Sequence, residues 1–181
     1  AGGHMKIAVV GMTHLGVCMS IAAHEWGMTV VGFDTNAERV AAVGRADFDA
    51  AEPGVVEFLR VASDRYVVTD DLTLAAEADL VLIAVDTRLD ANGDNDDSEV
   101  VALLEVLASA VPASTPIVVA SQVRPGFTRA HRYLHGELYY FMETLIFGRG
   151  LERAQQPERY MVGCADPDAA LPQALQEFLS L

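Results

Sequence analysis

Gly11 and Gly16 follow a run of strand-type residues, Lys6-Ile7-Ala8-Val9-Val10, and Asp34 closes a second such run, Thr29-Val30-Val31-Gly32-Phe33. A glycine at the end of a strand permits a tight turn, and one inside the following helix lets helix and strand pack closely. The first N–H groups of that helix carry partial positive charge, which suits phosphate. A carboxylate ending the next strand accepts hydrogen bonds from ribose hydroxyls and repels a 2′-phosphate. The layout predicts a dinucleotide site that prefers NAD to NADP, with Gly11, Thr13, His14, Leu15 and Gly16 as the phosphate loop and Asp34 on the ribose. The middle glycine of the pattern is replaced by Thr13, a β-branched residue where bare backbone should approach the pyrophosphate. The same residues also suit a glycine turn in an ordinary α/β sheet, with Asp34 capping the helix that starts near Asn36. His14 reads as a solvent-facing loop side chain.

Further polar groups fall at the carboxyl ends of later strands, where an open α/β sheet meets its ligand. Val85 and Thr87 end the fourth, Ser121 and Gln122 the fifth, and Glu143 follows the sixth. Thr87 serves equally as a turn hydroxyl bonded to its own backbone, and Glu143 as a carboxylate satisfied by backbone N–H groups. Glu52, before Pro53, reads as a loop-fixing carboxylate rather than a reacting one. Positioning these groups requires strands at Lys6–Val10, Thr29–Phe33, Tyr66–Thr69, Leu80–Val85, Pro116–Ala120, Leu138–Met142 and Tyr160–Gly163. Helices are expected at Leu15–Trp26, Asn36–Val43, Gly54–Ala62, Leu72–Ala78, Ser98–Ala110, Phe127–Leu134 and Pro167–Leu179, with Ser98 as an N-cap. Strands alternating with helices predict an α/β, Rossmann-like, doubly wound and mainly parallel sheet with helices on both faces. Leu89 to Asp97 reads as a polar surface loop. Counted from Asp90 it fails the EF-hand test, because the sixth and twelfth positions hold Asn95 and Val101.

The 181 residues suit one domain with a substantial core. Ala1-Gly2-Gly3-His4 reads as an expression remnant, leaving residues 5–181 as the dinucleotide-binding domain and His4 as no ligand. Hydrophobic content is 51%, yet no apolar run is long enough to span a bilayer. Twelve Lys and Arg against 26 Asp and Glu give a net charge of −14, which argues against nucleic-acid and anionic-membrane partners. Cys18 and Cys164 form neither a disulfide framework nor a metal spacing, so no metal site is expected and a cytoplasmic location is.

Four later stretches, in order, resemble the UDP-glucose/GDP-mannose dehydrogenase family. Glu52-Pro53-Gly54 resembles its E-P-G. Ala84-Val85-Asp86-Thr87-Arg88-Leu89, followed by Asp90 to Gly93, resembles its A-V-x-T-x-L loop with an acidic glycine turn, and Ser121-Gln122-Val123-Arg124-Pro125-Gly126-Phe127-Thr128 resembles its S-T-V-x-P-G-T segment. Met142-Glu143-Thr144-Leu145, with Gly148 and Pro157 to Gly163, resembles P-E-x-L-R-x-G…P-D-R-I-V-x-G. The resemblance implies an NAD-binding Rossmann domain, a connecting helix and a second domain for the nucleotide sugar. The family's catalytic cysteine, lysine and asparagine would lie in that second part, so this chain is expected to be catalytically incomplete alone, and a homodimer is open. Departures cluster at the reacting end: Gln122 replaces the threonine, and Ile146, Phe147 and Phe141 replace polar residues, leaving Glu143 as a remnant. Two readings follow, the cofactor domain of a nucleotide-sugar oxidoreductase or a non-catalytic Rossmann module. A relative of the β-hydroxyacid dehydrogenases would share the opening pattern without the later motifs.

Overall fold

The computed structural model describes residues 4–48, 52–61, 63–146 and 148–180. Seven strands form one sheet: β1 (Lys6–Val10), β2 (Thr29–Phe33), β3 (Tyr66–Thr69), β4 (Leu80–Ile83), β7 (Ile117–Val119), β8 (Leu138–Phe141) and β9 (Val162–Gly163). Their spatial order is β3-β2-β1-β4-β7-β8-β9. All neighbours pair in parallel except β8 with β9, which is antiparallel. This is the expected α/β, doubly wound Rossmann arrangement, extended by one antiparallel edge strand.

The central strands are apolar throughout because helices cover both faces. Ile7 and Val9 point into one core, shared with Leu15, Val17, Cys18, Met19 and Ile21 of α1 (His14–Glu25). Ala8 and Val10 point into the other, shared with Val100, Leu103, Leu104 and Leu107 of α5 (Ser98–Ala108). Those four positions follow the i, i+3, i+4, i+7 stripe of a helix with one buried face. In α1, by contrast, every residue from Leu15 to Ala23 is buried, because the sheet lies on one side and α7 (Gly150–Gln155) on the other. The indole of Trp26 donates to the Gln155 carbonyl at 3.1 Å and ties the end of α1 to the end of α7.

The remaining helices are α2 (Ala37–Gly44), α3 (Val55–Arg60), α4 (Leu72–Ala76), α6 (Phe127–His131) and α8 (Gln173–Leu179). Asn36 caps α2, its side chain accepting from Glu38 and Arg39 N–H at 3.0 and 3.2 Å, so the cap is Asn36 rather than Asp34. Asn36→Ala is expected to lower stability by about 1 kcal/mol, measurable as a shifted urea midpoint.

Several sequence expectations need correction. α7 was not anticipated. Leu89 to Asp97 contains a small hairpin, β5 (Arg88–Leu89) against β6 (Asn95–Asp96), wrapped around Asp90, whose Oδ1 accepts from Asn92 and Asp94 N–H. Ser98 is the first residue of α5 and not its cap; its N–H donates to Asp96 at 3.0 Å. The last helix begins at Gln173, because Pro172 holds the extended geometry that precedes a helix start. Ala1 to Gly3, the helix end at Ala62, Phe147 and Leu181 lie outside the described residues. Among the described residues no helix is long and apolar enough to cross a membrane.

Candidate functional site

The strand order reverses between β1 and β4, and the turns leaving both strands meet there. Gly11 has φ +100°, and a Cβ on it would lie 2.5 Å from the Cβ of Val85. A Cβ on Gly16 would lie 1.6 Å from the carbonyl oxygen of Gly11. Both positions therefore demand glycine, one for conformation and contact, the other for contact alone. Val85 is fully buried beneath this turn, so its side chain supports the loop instead of facing a ligand.

Asp34 is fully buried at the end of β2. Its Oδ2 accepts from the Met12 N–H at 2.7 Å and its Oδ1 from the Asn36 N–H at 2.9 Å. Arg39 lies 3.4 Å from Asp34 and also pairs with Glu99 at the start of α5. The acid thus fixes the glycine turn as well as closing the strand.

Thr13 stands at the cap position of α1 in extended geometry, but its side chain does not cap the helix. Its Oγ1 instead accepts from the Asp86 N–H at 2.8 Å. The Asp86 carboxylate reaches back to accept from the Leu15 N–H at 2.9 Å. An anion of the protein's own thus sits at the helix terminus where a phosphate would bind. Thr13→Gly is expected to tighten NAD binding several-fold and to lower stability by about 1 kcal/mol through the lost hydrogen bond. Calorimetric titration and a denaturant midpoint read the two effects separately, and unchanged or weaker affinity would overturn the backbone-approach argument.

Beside this turn lies a crevice of about 180 Å³ lined by His14, Leu15, Asp86, Thr87, Gln122, Glu143 and Leu145. Thr87 bridges its walls, donating to the Gln122 carbonyl at 3.0 Å, and so does not bond its own backbone. Glu143 is half-buried, with Oε2 accepting from the Leu145 N–H at 2.5 Å. Ser121 is fully buried, and its hydroxyl finds no partner among the described residues. Phe141 faces the core, with Tyr160 and Phe178 at 5.8 and 5.9 Å, so its departure from the family pattern does not alter the crevice. A larger cavity of about 540 Å³ lies elsewhere, between α6 and β8, with Arg124, Arg129 and Cys164 on its walls.

His14 is a helix residue rather than a loop one, and it is only partly exposed. It opens α1, and its Nε2 lies 2.5 Å from the Oε2 of Glu52. Glu52 is buried and also accepts from the N–H groups of Gly148 and Leu151. Burial alone would raise its pKa, but the His14 contact and the backbone donors hold it below the usual carboxylate value. Cys18, one turn along α1, has its thiol pushed up to about 12 by burial, with Glu52 and Asp86 adding to the effect. It is no nucleophile in that state.

A parallel sheet in this order, a positive-φ glycine turn feeding a helix, and a buried acid ending the second strand define a Rossmann-type dinucleotide-binding domain. The sequence pattern of the UDP-glucose/GDP-mannose dehydrogenase family, NAD binding domain, matches residues 5–178, and the chain belongs to that family as its NAD-binding part. A UDP-glucose 6-dehydrogenase of Pseudomonas aeruginosa is 28% identical over 180 residues, covering 91% of this chain and 40% of that protein. A UDP-N-acetyl-D-mannosamine dehydrogenase of Methanococcus maripaludis is 27% identical over 165 residues, covering 87% and 38%. The solved structure of a UDP-glucose dehydrogenase from Pyrobaculum islandicum superposes with a TM-score of 0.82 at 26% identity, over 98% of this chain and 44% of that one. The chain spans about 40% of the length of the curated relatives it matches.

The residues present fit the family's cofactor, NAD, at the turn and at the acid. The turn at Gly11 and Gly16 closes too tightly on Val85 and on its own backbone for either position to carry a Cβ, and the buried carboxylate of Asp34 ends β2 beside it. Against that fit, the Asp86 carboxylate occupies the Leu15 N–H at the start of α1. Sequence reasoning overlooked Asp86 and Arg39. The available signals were an acid directly before Thr87 at a strand end, and an arginine in the first turn of α2.

Proposed function

We propose that this chain holds NAD along the carboxyl ends of β1, β2 and β4, and serves as the cofactor half of a nucleotide-sugar 6-dehydrogenase. The observation that carries the reading is the turn at Gly11 and Gly16, closed too tightly for any side chain, directly under the N-terminus of α1. Thr13, His14, Leu15 and Gly16 would border the pyrophosphate and Asp34 the adenosine ribose. Thr87 and Glu143 would border the nicotinamide end, with Val85 and Ser121 behind them. NAD, when bound, supplies the hydride acceptor. The chain's own residues orient it and exclude the 2′-phosphorylated form, since Asp34 and Glu99 together outweigh the single positive charge of Arg39.

Oxidation of a sugar then requires groups that this region does not supply. Neither cysteine lines the crevice, and Gln122 and Ile146 replace residues able to assist proton transfer. The reading carries a second domain for the sugar, a cytoplasmic setting, a homodimeric assembly and no nucleic-acid partner; the net charge of −14 supports the last. The Asp86 carboxylate on the helix terminus favours a second reading, a Rossmann module that no longer binds cofactor. Calorimetric titration with NAD and NADP separates the two. Saturable NAD binding, with NADP at least ten-fold weaker, is expected; no heat from NAD at millimolar concentration would reject the first reading in favour of the second.

A further inference from the structure

His14 and Cys18 are four residues apart on α1, so their side chains leave the same face one turn apart. Glu52 arrives from the segment before α3 and is fixed by the N–H groups of Gly148 and Leu151, both at 3.2 Å. The Nε2 of His14 lies 2.5 Å from Glu52 Oε2 and 4.0 Å from Cys18 Sγ. One donor atom from each residue falls within 4.8 Å of the other two. Gly150 lies over the trio. A Cβ there would sit 3.0 Å from His14 Cε1, 3.3 Å from Glu52 Oε2 and 3.4 Å from Cys18 Sγ. Glycine is what lets this backbone pack directly against all three side chains.

We propose that His14, Cys18 and Glu52 bind one divalent ion of the zinc class, through Nε2, Sγ and a carboxylate oxygen, with a fourth position open to the crevice. An imidazole, a carboxylate and a cysteine sulfur that gives up its thiol proton to solvent as the ion binds form a mixed donor set suited to a borderline-soft cation. Calcium and magnesium, which require oxygen ligands, are unsuited to it. Metal–ligand bonds of roughly 2.0 to 2.3 Å place nitrogen and oxygen donors about 3.3 Å apart in a tetrahedral site. The imidazole must therefore withdraw from its 2.5 Å contact with Glu52. His14 is the ligand able to do so: it opens the helix and lines the crevice, whereas Cys18 and Glu52 are locked in the interior. Cysteine spacing alone gave no hint of such a site, because the third ligand comes from a distant loop.

The test is titration of the reduced, purified chain with cobalt(II), followed by absorption spectroscopy. The expected result is a thiolate-to-cobalt charge-transfer band and intense four-coordinate ligand-field bands that saturate at one equivalent and are displaced by zinc. Cys18→Ala should abolish the charge-transfer band, while Cys164→Ser and His4→Ala leave it unchanged. His14→Gln, at a partly exposed helix start that tolerates substitution, should weaken cobalt binding at least ten-fold with an unaltered circular dichroism spectrum. Absence of the band in the folded chain would overturn the proposal. So would a band that survives Cys18→Ala, or cobalt affinity unaffected by His14→Gln.

Discussion

Replacing Gly16 by alanine is expected to destabilise the chain by more than about 4 kcal/mol, enough to abolish a cooperative native state in a domain of marginal stability. The added methyl would meet backbone, with the Gly11 oxygen at 1.6 Å, the Gly11 carbonyl carbon at 2.8 Å and the Ala84 oxygen at 3.1 Å. No rotamer change relieves a clash with backbone. Helix α1 would have to lift off the turn, and every residue from Leu15 to Ala23 would lose packing as it did so. Gly44, with nothing within 4 Å of a built Cβ, is the control. Gly44→Ala should be neutral or slightly stabilising, because the unfolded chain loses freedom. Guanidinium unfolding of the two variants checks both effects; a Gly16→Ala midpoint close to wild type would show that the turn is looser than described.

Asp86→Asn is expected to tighten NAD binding by about 10- to 100-fold. The carboxylate occupies the Leu15 N–H at 2.9 Å, so a pyrophosphate arriving at α1 meets a fixed negative charge and a donor already in use. A unit charge pair about 4 Å apart at an effective dielectric near 20 repels by about 4 kcal/mol, and salt and reorientation reduce that to roughly 1–3 kcal/mol. Asparagine keeps the shape and the hydrogen bond to Leu15 but removes the charge. The backbone N–H that Asp86 donates to Thr13 is untouched, so the loop should keep its geometry. The variant should also be slightly less stable without cofactor, because an anion at a helix N-terminus is stabilising. The affinity gain over wild type should shrink as salt is raised. Equal affinity for the two proteins at low salt would mean that the carboxylate leaves the helix without resistance.

The sheet and the cofactor turn were legible in the sequence because each depends on neighbouring residues. Ile7 to Val10 and Leu80 to Ile83 are short apolar runs bounded by turns, and Gly11, Gly16 and Asp34 are spaced by one strand–helix–strand unit. Helix α7 was hidden because only Leu151 and Ala154 mark its buried stripe, and it opens on a glycine. The β5–β6 hairpin was hidden because two-residue strands show no alternation, so Asp90 looked like one more surface acid. In the site, what could not be read was long-range pairing. Leu15 with Asp86 and His14 with Glu52 join segments 71 and 38 residues apart, and no local pattern announces either contact. The same blindness made Phe141 look like a lost site residue, although the sheet turns it into the core.

The central claim, that the glycine turn and not the larger Arg-lined cavity receives NAD, is tested most directly by titrating the isotopically labelled chain with NAD and following backbone amide resonances. Binding as described predicts that the largest shifts fall on Met12 to Leu15, Asp34 and Asp86, and that Arg124 to Arg132 stay still. Shifts concentrated around Arg124, Arg129 and Cys164, with the Leu15 amide unmoved, would contradict it.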